Sequence, residues 1–316
     1  MVRLVTETEL RAAVGFDAFA LREVEKGYRW MQEREMSMPP VFHIDIDPQS
    51  AVDVKGAYVK GIDFFAIKMA SGFYDNPAKG LASSSSVILV LSAHTGFCKA
   101  VFMDNGYLMN LRTSLAGAVA TDHLARRQIS TVGIIGTGVQ ARDQLHALTL
   151  VRDFDHVLVW GRDVDRAQAC AADMRAQTQA EVTVGTDLAD VVSQSDVLVT
   201  TTPSMSPLIK AEWVAKGTHI VAMGSDLPGK QELSVPLMAR ADQVVSDSIA
   251  QCDVGGELQH VAHGDLKRPP VSLPEVIGGT ADGRRSDDDI TICDMTGLGV
   301  LDTAISVAAL QRLTGS

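Results

Sequence analysis

A chain of 316 residues, 46% hydrophobic and 21% charged with a formal net charge of -11, has the make-up of an ordinary globular protein long enough for two domains. The acidic balance excludes nucleic acid or an anionic membrane as the main partner, and an anionic substrate would need local cations working against the overall field. No apolar run approaches the ~18 residues of a membrane span, and Glu7, Glu9 and Asp17 interrupt the first stretch, so neither a membrane helix nor a signal peptide is expected.

Residues 6–36 carry apolar side chains at helical spacing, with Thr6 or Thr8 as a cap ahead of Leu10, Val14 and Phe19. Pro39-Pro40 forbids continuation of that helix, and the alternation through His43-Ile44-Asp45-Ile46 predicts an extended segment. Further strands are predicted at 51–58, 64–70, 87–92 and 99–104, separated by turn-rich pieces at 71–77 and 93–96. An alanine-rich helix is predicted over 111–125.

From residue 130 short β-rich runs alternate with helices. Strands are predicted at 132–136, 157–160, 182–184, 197–201, 219–223 and 243–246, with helices at 164–177, 187–193 and 233–239. That alternation predicts a doubly wound α/β domain around a parallel sheet. A polar loop at 278–289, a strand at 290–293 and a last helix over about 300–313 close the chain.

The strand at 132–136 runs into Gly136-Thr137-Gly138-Val139-Gln140-Ala141 and then a helical pattern through Leu145 and Leu148. Strand, glycine turn and helix are the context in which a GxGxxA match means a dinucleotide cradle rather than a plain βα turn. Gly136 permits the tight turn, Gly138 lets a pyrophosphate approach the backbone, and Ala141 lets helix and strand pack closely. The helix N-terminus offers free N–H groups to the phosphates.

Other strand ends carry chemistry too. The second ends Trp160-Gly161-Arg162-Asp163, with Gly161 where such folds usually place a ribose-binding acid. Arg162 can hold a 2′-phosphate or stack on adenine, and Asp163 reads as the N-cap of the next helix, so NAD and NADP both stay open. The hydroxyls of Thr200-Thr201-Thr202 end the fourth strand, where they can meet a ribose or an amide. The fifth runs into Met223-Gly224-Ser225-Asp226-Leu227-Pro228-Gly229-Lys230. There Asp226 can serve as acid or base and Lys230 can neutralise an anion, or the two form a surface ion pair.

Lys68 stands in the apolar strand Phe64-Phe65-Ala66-Ile67-Lys68-Met69, where burial would lower its pKa into the range of proton exchange near neutrality. Arg112 opens the alanine-rich helix, and a cation there opposes the helix dipole unless an anion lies nearby. His260 and His263 form an HxxH without a completing carboxylate, so no metal site is expected. Cys98, Cys170, Cys252 and Cys293 form no CxxC pair, which favours a reduced, cytoplasmic protein.

Together, Leu111-Arg112-Thr113-Ser114-Leu115-Ala116, the Gly136–Ala141 turn, Val159-Trp160-Gly161-Arg162, the loop from Gly224 to Lys230 and Gly297-Leu298-Gly299-Val300-Leu301-Asp302 resemble the ornithine cyclodeaminase/μ-crystallin family. The resemblance implies a Rossmann dinucleotide-binding domain (126–297) inserted into a β-rich α+β substrate and dimerisation domain (1–125), completed by a C-terminal helix (298–316). It makes Lys68 the active-site lysine and gives Arg112 to the cofactor or a substrate carboxylate. Val139 and Gln140 fall on the pyrophosphate, and Thr202, Ile220, Val221, Ala222 and Met223 line the cofactor with Gly161, Arg162 and Lys230. Met295 or Thr296 falls near the nicotinamide. Asp226 matches the loop that carries the proton-transfer carboxylate of the cyclodeaminases.

One departure stands out. Members often carry Pro-Pro-Arg, whose arginine grips an amino-acid carboxylate, where this chain has Pro39-Pro40-Val41. Lys55, Arg34 or His43 must supply that cation, or the substrate is not ornithine; Lys55 and Ser84 join Lys68 and Arg112 as expected substrate contacts. The stretches Ser71–Pro77 and Asp104–Leu108 narrow the resemblance to a branch with iminosuccinate reductases and ectoine-utilisation proteins. The implied activity is NAD(P)H-dependent imine reduction, most simply of iminosuccinate to L-aspartate, in a homodimer. A cyclodeaminase using NAD⁺ catalytically and a non-catalytic NADPH-binding protein are the alternatives.

Overall fold

A computed structural model describes residues 2–47 and 49–315. The chain divides into two compact units: residues 1–112 with 298–316, and residues 113–297.

The first unit opens with β1 (Arg3–Thr6), a strand too short to register in the hydropathy pattern, then α1 (Glu7–Ala13) and α2 (Ala18–Glu33). The expected single helix over 6–36 is thus two. Thr6 and Glu9 close a capping box on α1, and Asp17 accepts the Ala20 N–H at 2.8 Å to start α2 afresh. Then come β2 (Met36–Ser37), β3 (Phe42–Asp47), β4 (Ser50–Val59), β5 (Phe64–Phe73), β6 (Ser84–Ser92) and β7 (Cys98–Met103). They form one sheet in the order β1-β7-β6-β5-β4-β2, with β3 also on β4. Residues 71–73, expected in a turn, continue β5, because all three find partners on β4 and Ser71 and Gly72 find them on β6 as well.

Helix α3 (Tyr107–Leu124) follows; the division between the units falls inside it. Its first turn is tied down within the first unit. The buried Asp104 carboxylate accepts the Leu108 N–H at 3.0 Å and the Ser86 hydroxyl at 2.7 Å. Five residues on, that anchoring fixes where Arg112 stands.

In the second unit β8 (Thr131–Ile135), α4 (Val139–Leu148), β9 (His156–Trp160), α5 (Val164–Met174), β10 (Glu181–Val184), α6 (Leu188–Gln194) and β11 (Val197–Thr200) appear in the predicted alternation. Next come β12 (Met205–Ile209), β13 (His219–Ala222), β14 (Gln231–Leu233), α7 (Val235–Arg240), β15 (Gln243–Ser246), α8 (Ile249–Gly255), β16 (Val271–Ser272), α9 (Leu273–Ile277) and β17 (Thr291–Asp294). The main sheet has the order β10-β9-β8-β11-β13-β17-β15-β16, wholly parallel; β12 and β14 pair apart. This is the doubly wound Rossmann arrangement, with strand order reversing between β8 and β11, where such sheets bind ligands at their carboxyl ends.

The chain then returns to the first unit as α10 (Gly299–Thr314), whose residues 299 to 310 are all buried. The expected last helix reached 316, and Ser316 lies outside the described residues. Helix α10 lies on β4, β5 and β6 and against α2. A Cβ at Gly299 would come within 2.7 Å of the Gly56 carbonyl oxygen, so helix and strand touch backbone to backbone. Thr303 exploits that approach: its hydroxyl donates to the Ala57 carbonyl at 2.8 Å and accepts the Ala66 N–H at 3.1 Å. Gly299→Ala must therefore push α10 off the sheet, and it should cost ~1–3 kcal/mol in urea unfolding; unchanged stability would contradict this packing.

Candidate active site

The register of the first sheet explains why a lysine is buried in its middle. Lys55 on β4, Lys68 on β5, Ile88 on β6, Phe102 on β7 and Val5 on β1 stand opposite one another in turn, all pointing to the face that the helices cover. Lys68 is 1% exposed. Its Nζ lies 2.9 Å from both carboxylate oxygens of Asp302, on the first turns of α10. Arg112 Nε donates to the same carboxylate at 2.8 Å. Two cations thus share one anion in a site shut off from water.

Burial, then the Arg112 guanidinium, pulls the Lys68 amine down to about 7, against the opposing pull of Asp302. Burial would push the Asp302 carboxyl up, yet Arg112 and Lys68 outweigh it and hold the group below its usual range. Lys68 is therefore a proton donor or acceptor poised near neutral pH, beside a permanent anion and a permanent cation. Arg112 does not open its helix as expected, because α3 already starts at Tyr107; its anionic partner is Asp302 of the chain itself.

Among the candidates to replace the missing arginine at Val41, the structure separates three positions. Lys55 is directly opposite Lys68 across the β4–β5 pair. His43 is on the same face one step further out, where Asp53 at 2.6 Å and Asp45 at 2.9 Å raise its pKa and occupy both ring nitrogens. Arg34 donates instead to the Lys60 carbonyl at 3.2 Å, at the far end of β4. Ser84 shares the Lys68 face, half-buried at the start of β6.

In the second unit the glycine turn has the shape of a cofactor cradle. Gly136 adopts φ 131, and a Cβ there would strike the Thr201 hydroxyl at 2.3 Å. At Gly138, the N-cap of α4, a Cβ would meet nothing within 4 Å, and no side chain caps the helix. The protein places no side chain in that space and none caps the helix, as suits an anion approaching a helix N-terminus. Arg142 steadies the loop by donating to the carbonyls of Thr137 and Gly138 at 2.7 and 3.1 Å. Beside the turn, a Cβ at Gly161 would clash with the Thr137 methyl at 2.5 Å, so no acid fits there. Arg162 is exposed, and Asp163 caps α5 as expected.

A buried carboxylate absent from the sequence reading, Glu232, organises the neighbouring strand ends. It accepts the Thr200 and Thr202 hydroxyls and the Thr202 N–H, each at 2.6 Å, and the Gly224 N–H at 2.9 Å. The threonine hydroxyls expected to face a ligand thus donate inward. Asp247 does the same for the end of β17, accepting the N–H groups of Thr296 at 3.0 Å and Gly297 at 2.7 Å. Ile220, Val221 and Ala222 are fully buried in β13, as is Met295 after β17, while Met223 retains exposure. Lys230 pairs with Asp226 at 2.7 Å, and the Asp226 side chain stays 46% exposed. His260 and His263 are engaged separately, with the Lys230 carbonyl and Asp253.

From the sequence no role falls to Glu232, which lies in no motif, or to Asp302, which closes the Gly297–Asp302 stretch. Asp302 did carry a signal: it is the lone acid in an otherwise apolar helix, and a buried charge demands a partner.

The profile of the ornithine cyclodeaminase/mu-crystallin family matches residues 1–315. A putative dehydrogenase of Rhizobium meliloti is 42% identical, over 98% of this chain and 95% of its own length. The alanine dehydrogenase of Archaeoglobus fulgidus is 37% identical over 99% and 97%, and the iminosuccinate reductase of Paracoccus denitrificans 32% identical over 98% and 95%. Among solved structures, an archaeal alanine dehydrogenase dimer with bound NAD is similar at TM-score 0.90 and 32% identity, covering 99% of this chain and 96% of that one. The Paracoccus iminosuccinate reductase in complex with NAD⁺ gives 0.87 and 29%, covering 99% and 97%.

Two consequences are measurable. An amine held near 7 in the fold and near its usual ~10.4 when unfolded binds fewer protons folded than unfolded between those values, so wild-type stability gains as pH rises through that window. Lys68→Met, which leaves a matched Arg112–Asp302 pair, should be more stable than wild type at pH 6.5 by on the order of 2 kcal/mol, a margin that shrinks toward pH 9.5. A constant margin would mean that the lysine is an ordinary cation. Gly138→Ala should leave the melting temperature nearly unchanged while weakening NADH binding at least ~10-fold, because its methyl enters only ligand space; equal affinity would remove the turn from the cofactor site.

Proposed function

The chain belongs to the ornithine cyclodeaminase/mu-crystallin family, and from that premise we propose that it reduces a 2-imino acid, with iminosuccinate, reduced to L-aspartate, as the substrate that the site suits best. Its named relatives include dehydrogenases and reductases of amino and imino acids, and its solved neighbours hold NAD or NAD⁺. The chain is accordingly an NAD-dependent oxidoreductase.

The observation that carries the substrate reading is the charge of the covered face. Lys55, Lys68 and Arg112 act together on the buried carboxylate Asp302, so among these four groups cations outnumber the acid. A substrate with two carboxylates matches that excess; a neutral or cationic one does not.

The nicotinamide, when bound, supplies the hydride that goes to the imine carbon. Lys68 gives its ammonium proton to the imine nitrogen as the C=N π pair becomes the new N–H bond, leaving a neutral amine that is reprotonated from solvent. Arg112 and Lys55 hold the carboxylates and so orient the carbon. Lys68 takes the donor role rather than Asp226, because its buried amine titrates near 7 while Asp226 is half exposed and tied to Lys230. In the second unit, Gly136, Gly138, Val139 and Gln140 take the pyrophosphate and Gly161 and Arg162 face the adenosine ribose. Met223, Lys230 and Thr296 stand at the strand ends and take the nicotinamide side, while Thr202 and Met295, turned inward, support those ends.

The working assembly is proposed to be a homodimer. The sheet face turned away from α2 and α10 exposes Leu4, Phe42, Ile44, Ile46, Met69 and Met103, more contiguous apolar surface than a monomer usually shows.

A second reading, reduction of the three-carbon imine from pyruvate, is favoured by the higher identity to the alanine dehydrogenase. The test is NADH oxidation with oxaloacetate, pyruvate or glyoxylate, each with ammonia. Activity confined to oxaloacetate, with Lys55→Met raising its KM at least ~10-fold, supports the dicarboxylate reading. Preference for pyruvate replaces it with the second reading. Turnover of ornithine with no net change in NADH would make the chain a cyclodeaminase, and silence with every imino acid a binding protein. Lys68→Ala should slow turnover by ~10²–10⁴; wild-type rates in that variant would remove Lys68 from the mechanism.

A further inference from the structure

We infer that Asp302 is a positioning residue that sets the working pH of the enzyme by holding Lys68 in its protonated, donor form. The inference rests on the reading of Lys68 as the proton donor and goes beyond it.

The geometry singles Asp302 out. It is fully buried, is held 2.9 Å from Lys68 and 2.8 Å from Arg112, and projects from α10, a helix fixed against β4 by the Gly299–Gly56 contact. Around Lys68 the other charged groups facing it are Lys55 across the strand pair and Arg112 from α3, both cations that favour the neutral amine. Asp302 is the one anion opposing them among the groups acting on Lys68. Without it, a buried amine beside two cations would give up its proton at still lower pH and would meet the imine as a base rather than an acid.

Asp302 can also be separated from a passive prop. A residue that only anchors α10 would, when altered, lower activity by the same factor at every pH. A residue that keeps Lys68 charged would, when altered, lower it selectively where wild-type Lys68 is still protonated and the variant's is not.

The experiment compares kcat/KM of Asp302→Asn with that of wild type from pH 5.5 to 9, using oxaloacetate with ammonia and NADH. Taking the ratio at each pH cancels the ionisation of the substrates. The ratio should fall at least ~5-fold between pH 5.5 and 7.5, a displacement of the alkaline limb to lower pH by one pH unit or more, and then level off. NADH binding, followed by fluorescence, should stay within ~3-fold of wild type, which verifies that the variant is folded. Should Asp302→Asn not fold, Asp302→Glu keeps the charge and should keep the limb within half a unit of wild type while lowering turnover; a limb displaced in the Glu variant would overturn the inference. So would a ratio for the Asn variant that is flat across pH. If Lys68→Ala itself turns over like wild type, the donor assignment fails. If Lys68→Ala is inactive and the Asn ratio is flat, that assignment stands and only the role of Asp302 falls.

Discussion

A buried carboxylate between two cations is the constraint on which the first unit is built. Asp302 is kept ionised away from water by Arg112 and Lys68 together, and each of the three arrives from a different element: α10, α3 and β5. Holding those elements in place explains details that look unrelated. Gly56 and Gly299 let helix and strand touch, Thr303 fills the opened rung between β4 and β5, and Asp104 pins the start of α3. A site of this kind is costly to the fold, since two buried cations share a single buried carboxylate. It is the state of affairs expected where an anionic substrate completes the charge balance.

The second unit also builds around buried acids, held there by neutral donors rather than by cations. Glu232 and Asp247 are buried acids that gather backbone N–H groups and hydroxyls at the carboxyl ends of β11, β13 and β17. Burial raises the Glu232 carboxyl, and its hydrogen bonds to Thr200, Thr202 and Gly224 work the other way. These carboxylates shape loops that face a ligand while the glycine turn leaves its first helical N–H groups uncapped. One unit thus holds a glycine turn at a helix N-terminus and the other a buried amine of lowered pKa, the parts on which the proposed hydride transfer to an imine draws.

Much of this was legible in the residues, and the reasons differ from one element to the next. The parallel strands were visible because burial on both faces makes them short continuous apolar runs, as in Val197-Leu198-Val199. Lys68 was visible as a charge inside an apolar strand, and Asp163 as a cap by its place before a helix. What stayed hidden were pairings between residues far apart in the chain. Lys68 and Asp302 are separated by 234 positions, and no local pattern relates them. Strand β1 was hidden because its neighbour β7 lies about a hundred residues on, and residues 71–73 read as a turn because Ser-Gly favours one until two flanking strands claim their hydrogen bonds. The inward turn of Thr200 and Thr202 depends on Glu232, whose burial the sequence around it does not announce.

The central claim is that Lys68 is an amine tuned to exchange a proton near neutrality by its buried neighbours. It is tested most directly by titrating the Lys68 ε-methylene and Nζ resonances by NMR in protein labelled at lysine. A midpoint near 7, well separated from the other lysines, is what the geometry around Asp302 and Arg112 predicts. A midpoint above ~9, merged with the exposed lysines, would contradict it.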